Sequence, residues 1–204
     1  LEQLRLPQWA PEIIAVLNTS NDFHKLVVTH CEYMAGLGRH ECNAWVGAVT
    51  SSTAAVLKGN VSQLNSRHVS LVFQDMYVSD SEGAAKWFTP EYTALMLAAM
   101  QASTPIATPL TRRIPNVLDV RQNAAISLQG SIDGDGGLIE SGLLTLMPTA
   151  TGWHVERSIT THQSDTNMVF TEVSANESVN TSIRDLRANL TGKIGDPNIA
   201  ATKS

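Results

Sequence analysis

TPEYTALMLAAMQAS, residues 89–103, is the stretch on which the reading of this chain turns. Thr89 can cap a helix, and Pro90 fits the first helical position, where a missing N–H costs nothing. Ala, Leu and Met then fill the turns with good helix formers. Leu95, Ala98, Ala99 and Ala102 recur at three-to-four spacing, which predicts a face of small residues able to approach a sheet or another helix closely. Just before it stands RHVSLVFQD (67–75), the strongest short strand, followed by VSDSEGAAK, which reads as a polar loop. Just after it, Pro105 and Pro109 end the helix and hold TPIATPLTRRIPNVLDV extended.

Toward the amino end, QWAPEIIAVLN (8–18) reads as a short helix with Pro11 in its first turn. FHKLVVTHC (23–31) is a compact run rich in Val and Leu and reads as a buried strand. Two glycines in EYMAGLGRHECNAWVG (32–47) predict a loop to about residue 38 and then a helix. AWVGAVTSSTAAVLKG (44–59) reads as a strand to about Thr50, then a helix. Toward the carboxyl end, a helix over 121–131 gives way to SIDGDGGLIES. LLTLMP and WHVERSITT read as two strands around the turn TATG. In the second, Val155, Arg157, Ile159 and Thr161 alternate with His154, Glu156, Ser158 and Thr160. A long polar helix over 172–191 carries a thin apolar stripe of Val173, Val179, Ile183, Leu186 and Leu190. The order of elements predicts an α/β fold: a two-layer or three-layer sandwich with a mixed, largely buried sheet. Residues 1–191 form one domain in this reading, and 192–204 a flexible tail.

The 204 residues are 43% hydrophobic and 16% charged, the composition of a globular chain long enough to build its own core. A formal net charge of -5, with Arg112-Arg113 as the adjacent basic pair, argues against direct nucleic-acid binding, which concentrates positive charge on one face. No run of about eighteen apolar residues exists, so membrane insertion is not expected. Cys31 and Cys42 are too few for a disulfide framework and read as buried thiols in a reducing compartment. Sequons at Asn18, Asn60, Asn176, Asn180 and Asn189 carry little weight without a signal peptide. The opening at Leu1, in mid-helix style, suggests a piece of something longer.

No catalytic, cofactor-binding or metal site emerges. His30, His40 and Cys42, with Cys31 or Glu41 as a fourth ligand, match no compact zinc spacing. DGDGG (133–137) resembles the start of a calcium loop, but Glu140 lies too near Asp133 for the twelve-residue spacing, and the glycines do not make a pyrophosphate cradle. Thr160, Thr161 and His162 are strand neighbours that point to opposite faces, a poor geometry for a nucleophile and its base. Asp75, Asp80 and Glu82 fall in an expected wet loop with nothing to separate their pKa values. Trp9, Trp45, Trp87 and Trp153 are spread out as core or interface anchors. His24, His68 and His154 complete a scattered set of histidines.

Two segments carry a family resemblance. FTPEYTALMLAAMQASTPIATPLTRR (88–113) resembles the SPxYxAAxLAGxxAxxPxxxPLTNK pattern of contractile-tail sheath proteins, found in myophage tails and related bacteriocin-like particles. Pro90, Tyr92, Ala94, Ala98, Ala99, Pro105, Pro109, Leu110 and Thr111 match it. WHVERSITTHQ (153–163) is similar to that family's RxITT strand through Arg157, Ile159, Thr160 and Thr161. Arg112-Arg113 departs from the usual NK, and IPNVLDV matches LPGVxGV loosely. The likeness spans about residues 8–190. It implies a non-enzymatic structural subunit without cofactors. Its partners would be other copies of itself in a helical sheath, an inner tail tube protein and a baseplate. Its place would be the virion, as a late protein assembled in the host cytoplasm, and its role genome ejection or envelope penetration. The family also implies a carboxyl-terminal arm that adds a strand to a neighbour, of which residues 192–204 would be the truncated start.

Overall fold

The computed structural model describes residues 1–5, 10–79, 82–126, 137–163 and 168–191. Its centre is a parallel sheet of β1 (Ile13–Val16), β2 (Asn43–Gly47), β3 (Val69–Val72) and the two-residue β7 (Leu143–Leu144), in the order β1-β2-β3-β7. Ile13 pairs with Asn43, Ala44 with Val69, and Leu71 with Leu143. Helix α1 (Asn21–Ala35) joins β1 to β2, and α2 (Ala54–Leu64) joins β2 to β3. Crossovers of one hand in a sheet extended strand by strand place both helices on the same face, and α1 and α2 do share one core. That core takes Ile14, Val16, Ala44, Val46 and Leu71 from the sheet, with Val27, Cys31, Leu57 and Val61 from the helices.

The alternate residues point the other way. Ile13, Ala15, Trp45, Val72 and Leu144 meet α3 (Pro90–Ala102) and the hairpin of β8 (Leu146–Thr149) and β9 (Gly152–Val155) in a second core. With both faces covered, the strands read as continuous apolar runs, as parallel strands must. The sandwich is therefore three layers thick. Parallel and antiparallel pairings both occur but are segregated: β8 pairs with β9, and β4 (Asp75–Ser79) lies between β5 (Ala85–Phe88) and β6 (Asp119–Arg121). The expected loop after residue 75 is thus mostly the β4–β5 hairpin.

Several local expectations change once tertiary pairing is visible. The helix expected over 8–18 is replaced, in its described part, by β1, because IIAV gains a full ladder against Asn43–Gly47. The strand expected at 23–31 is the middle of α1. His24, Val27, Val28, His30, Cys31 and Met34 are its buried residues, at helical spacing. The helix expected after residue 38 is absent, and β2 stands there. Residues 122–126 form a turn rather than a helix, and the rest of the expected 121–131 helix lies outside the described residues.

Helix α3 begins where expected, with Thr89 at the cap and Pro90 in the first turn. Its buried face is Thr93, Ala94, Leu97, Ala98 and Gln101, so of the predicted stripe Ala98 is buried while Leu95, Ala99 and Ala102 are exposed. Two hydrogen bonds set that rotation. Trp45 Nε1 donates to Gln101 Oε1 at 2.6 Å, and Thr93 Oγ1 donates to the Gln74 carbonyl at 2.8 Å. A buried indole N–H needs such an acceptor, so Leu95 is left outside. Gln74 itself is fully buried, and its side-chain amide acts as a piece of strand. Its Oε1 accepts from Leu146 N at 2.6 Å and its Nε2 donates to Leu146 O at 3.0 Å. That couples the hairpin to the parallel sheet.

Candidate functional site

The two segments of distinctive sequence, 88–113 and 153–163, come together in space. Past α3, Leu110 enters the second core and Thr111 to Arg113 run beside β9. Arg112 N donates to Val155 O at 2.7 Å and Val155 N donates to Arg113 O at 2.9 Å. Thr111 Oγ1 accepts from Ser158 N at 2.9 Å and faces Glu172 Oε1 at 3.4 Å. Burial holds the Glu172 carboxyl above its ordinary range, against the pull of Arg157 and its hydroxyl partners. Arg112 Nη1 reaches Glu156 Oε2 at 2.7 Å, and the His154 ring nitrogen lies 2.6 Å from the same carboxylate oxygen.

Strand β9 ends at Val155, so the expected alternation does not continue to Thr161. Instead Ser158, Ile159, Thr160 and Thr161 are all buried. Thr160 Oγ1 donates to Phe170 O at 2.8 Å, and Thr161 Oγ1 both donates to Ser66 O and accepts from Ser66 N at 3.1 Å. These hydroxyls splice the start of the last helix to the start of β3. Thr160, Thr161 and His162 are therefore joints of the scaffold, and the two threonine hydroxyls are fully engaged there.

The last helix, α4 (Val173–Thr191), rests on a polar seat. Asn176 Nδ2 and Asn180 Nδ2 donate to Asn43 Oδ1 at 3.0 and 3.1 Å, and Asn176 Nδ2 also reaches Arg67 O at 2.7 Å. Arg184 donates to Glu41 O at 2.7 Å and to Glu12 Oε2 at 2.8 Å. Arg187 pairs with Glu41 Oε1 at 2.5 Å. The apolar stripe predicted for this helix is corrected: Val173 is buried in the second core, whereas Leu186 and Leu190 are 60% and 57% exposed. The seat lies at the amino ends of β1 and β2, where the backbone and its carboxylates offer polar partners. Glu41 is only 1% exposed, so Arg187→Met should cost about 3 kcal/mol by leaving a buried carboxylate without its ion pair, the low end for a buried pair because Arg187 is partly exposed. Lys25→Met, which removes an exposed pair with Asp22, should change stability by less than about 0.5 kcal/mol. Urea unfolding of both variants checks this contrast.

Strand β1 is the outer strand of the parallel sheet, laddered to β2 on one side. Such an edge offers backbone donors and acceptors to an added strand. A groove of about 780 Å³ opens near its amino end, lined by Glu12, Arg39, His40, Ile106, Arg184 and Leu190 among others. At the carboxyl ends of the strands, where α/β sheets usually hold ligands, a smaller cleft of about 330 Å³ is lined by Thr50, Asp75, Arg121 and Gln122. Asp75 is not in a wet loop as expected: it is 2% exposed in β4, bonded to Arg121 Nε at 2.8 Å and Thr50 Oγ1 at 3.1 Å. Its charge is already committed to the scaffold.

The other residues singled out from sequence are dispersed. Among the described residues no group of three His, Cys, Asp or Glu side chains is placed to hold a metal ion, and His30, His40 and Cys42 are not gathered into one. Trp45 is core, Trp153 packs against the second core, and Trp87 stacks with Tyr77 under the Arg121 guanidinium. Asn176 and Asn180 are fully buried, so those two sequons are structural. Trp9, Asp80, Asp133 and the first four residues of DGDGG lie outside the described residues. Among the described residues no helix is long and apolar enough to cross a membrane. The polar seat of α4 is what sequence reasoning missed; Asn176, Asn180, Arg184 and Arg187 at helical spacing were its available signal.

No protein-family model matches the sequence, and comparison with curated proteins finds no match. Solved structures do match. The sheath tail protein of Desulfitobacterium hafniense superposes with a TM-score of 0.73 at 12% identity, over 98% of this chain and 43% of that one. The contracted helical sheath of the anti-feeding prophage gives 0.61 at 16% identity, over 97% and 53%. The contracted sheath complex of PVC, an extracellular contractile injection system, gives 0.57 at 12% identity, over 85% and 47%. The chain spans about half the length of the sheath proteins it matches. Its fold is the one that these three sheath structures share over about half of their length.

Proposed function

We propose that this chain is a structural subunit of a contractile tail sheath. Copies assemble into a helical tube around an inner tail tube, anchored at a baseplate, and contraction drives the inner tube through a cell envelope. In a phage this serves genome ejection, and the subunit belongs to the virion after assembly in the host cytoplasm. The observation that carries the reading is the recurrence of one fold, over most of this chain, in three separate sheath proteins. The join between residues 110–113 and 155–158 supports it, because the two segments that resemble the family lock together there.

In this reading the work of contraction comes from the difference between two packings of rigid subunits, with no bound cofactor. Subunits that slide past one another need a linker that survives the change. A strand added to the edge of β1 that no described strand occupies meets that need, since backbone hydrogen bonds tolerate altered side-chain surroundings. Residues 172–191 face a neighbouring subunit in the assembled tube, with Leu186 and Leu190 as apolar contacts, and the expected tail 192–204 lies outside the described residues.

Negative-stain microscopy of the full-length gene product tests the proposal, with tubes or polysheaths as the expected result. A protein that stays monodisperse at high concentration and tightly holds or turns over a small molecule would overturn it. Amide exchange should slow across 172–191 on assembly; equal rates in monomer and tube would remove that segment from the contact.

A further inference from the structure

Cys31 and Cys42 play no part in the sheath reading. Cys31 lies on the inner face of α1 and Cys42 immediately precedes β2. Both are enclosed in the first core, at 0% and 1% exposure, and both are free thiols. Their sulfurs stand 3.7 Å apart in an S–H···S contact. A disulfide bond is ~2.05 Å long, so a closing movement of about 1.6 Å, shared between two side-chain torsions, joins them. The two thiols are also unequal. The contact with Cys31, helped by the Arg184 guanidinium, pulls the Cys42 thiol down. The same contact, together with burial, pushes the Cys31 thiol up. Cys42 is thereby the better nucleophile, and Cys31 is the thiol held beside it.

We propose that Cys31 and Cys42 form an oxidisable pair that a small peroxide converts into an intramolecular disulfide pinning α1 to β2. The Cys42 thiolate attacks one oxygen of hydrogen peroxide; an S–O bond forms, the O–O bond breaks, and the departing hydroxide takes the proton Cys42 released, leaving as water. Cys31 then attacks the sulfur of the resulting sulfenic acid. The S–S bond forms, the S–O bond breaks, and the second hydroxide leaves as water with the proton of Cys31. Two thiols lose two electrons and two hydrogens, and one peroxide is reduced to two waters. The bond closes the loop that carries Ala35 O and Glu41, both of which hold arginines of α4. Oxidation state and the seat of the last helix are thus connected through a few residues.

The test treats the folded chain with hydrogen peroxide, then measures intact mass and counts free thiols after unfolding, with methionine oxidation as proof that the oxidant acted. The expected product is a monomer lighter by two hydrogens before methionine oxygen is added, with both thiols lost together and both restored by dithiothreitol. Cys31→Ser should leave Cys42 as an oxygen adduct, and Cys42→Ala should leave Cys31 largely unreacted. Two thiols still countable in a chain whose methionines are oxidised would overturn the proposal. So would a product made only of intermolecular disulfides or separate oxygen adducts. The wild-type mass decides this even if a variant fails to fold.

Discussion

Gly47→Ala should destabilise the fold by about 3 kcal/mol or more, at the upper end of the range for overpacked cores. Gly47 ends β2, and the first turn of α3 lies directly on its backbone. A Cβ built there falls inside van der Waals contact of Glu91 N, Pro90 C and Glu91 Cα. These are backbone atoms, so no side chain can swing aside; either the helix start or the strand must move. Movement of α3 would pull Gln101 from the Trp45 indole and Thr93 from Gln74, opening the second core. Gly59→Ala is the matched control. It sits within α2, where an added Cβ meets nothing, and should gain about 0.5–1 kcal/mol from helix propensity. Urea midpoints of the two variants should move in opposite directions. A Gly47→Ala midpoint at the wild-type value would mean that α3 is not seated as described.

Acid should unfold this protein earlier than its carboxylates alone would require. His24, His30 and His68 are nearly fully buried, and burial is the largest influence lowering each. Arg5 adds to it at His30 and Arg67 at His68, while the hydrogen bond to Asn18 O opposes it at His24. His68 is lowered from 6.5 to about 4. A histidine kept neutral by folding contributes stability above its unfolded pKa and loses it as pH falls, because the unfolded chain takes up the proton first. For His68 the loss is about 2 kcal/mol at pH 5 and about 3 kcal/mol near pH 4. His24 and His30 add in the same direction. Glu172 and Glu177, raised chiefly by burial, act the other way, since their protonation relieves a cost of folding. Unfolding free energies measured at pH 7.5, 6 and 5 should fall steadily, and His68→Asn should flatten part of that slope. A slope unchanged by that substitution would place the proton uptake elsewhere.

How far the fold was legible depended on how local its causes are. Helix α3 could be read because Thr89, Pro90 and the run of Ala, Leu and Met act within a few residues. The turn between β8 and β9 was readable for the same reason. Strand β1 was not, since IIAV is a strand only by pairing with Asn43–Gly47, some thirty residues away. Helix α1 was misread because two histidines lie on its buried face. Counted as polar, His24 and His30 broke up a stripe that Val27, Val28, Cys31 and Met34 complete. The seat of α4 was hidden for a related reason. Its contacts are made by asparagine and arginine, which periodicity treats as the solvent side. The resemblance in residues 88–113 and 153–163 could be read from sequence, while the hydrogen bonds that join those two segments became visible only in three dimensions.

The order of fasteners along α4 has a mechanical consequence. Arg187, Arg184, Asn180 and Asn176 are spaced along one face, each tied by short directional bonds, and Val173 alone is sunk in oil-like packing at the far end. A pull at the carboxyl end loads these ties in sequence rather than together, as in peeling tape. Little force then suffices to lift the outer turns, while the root of the helix holds until the core itself is breached.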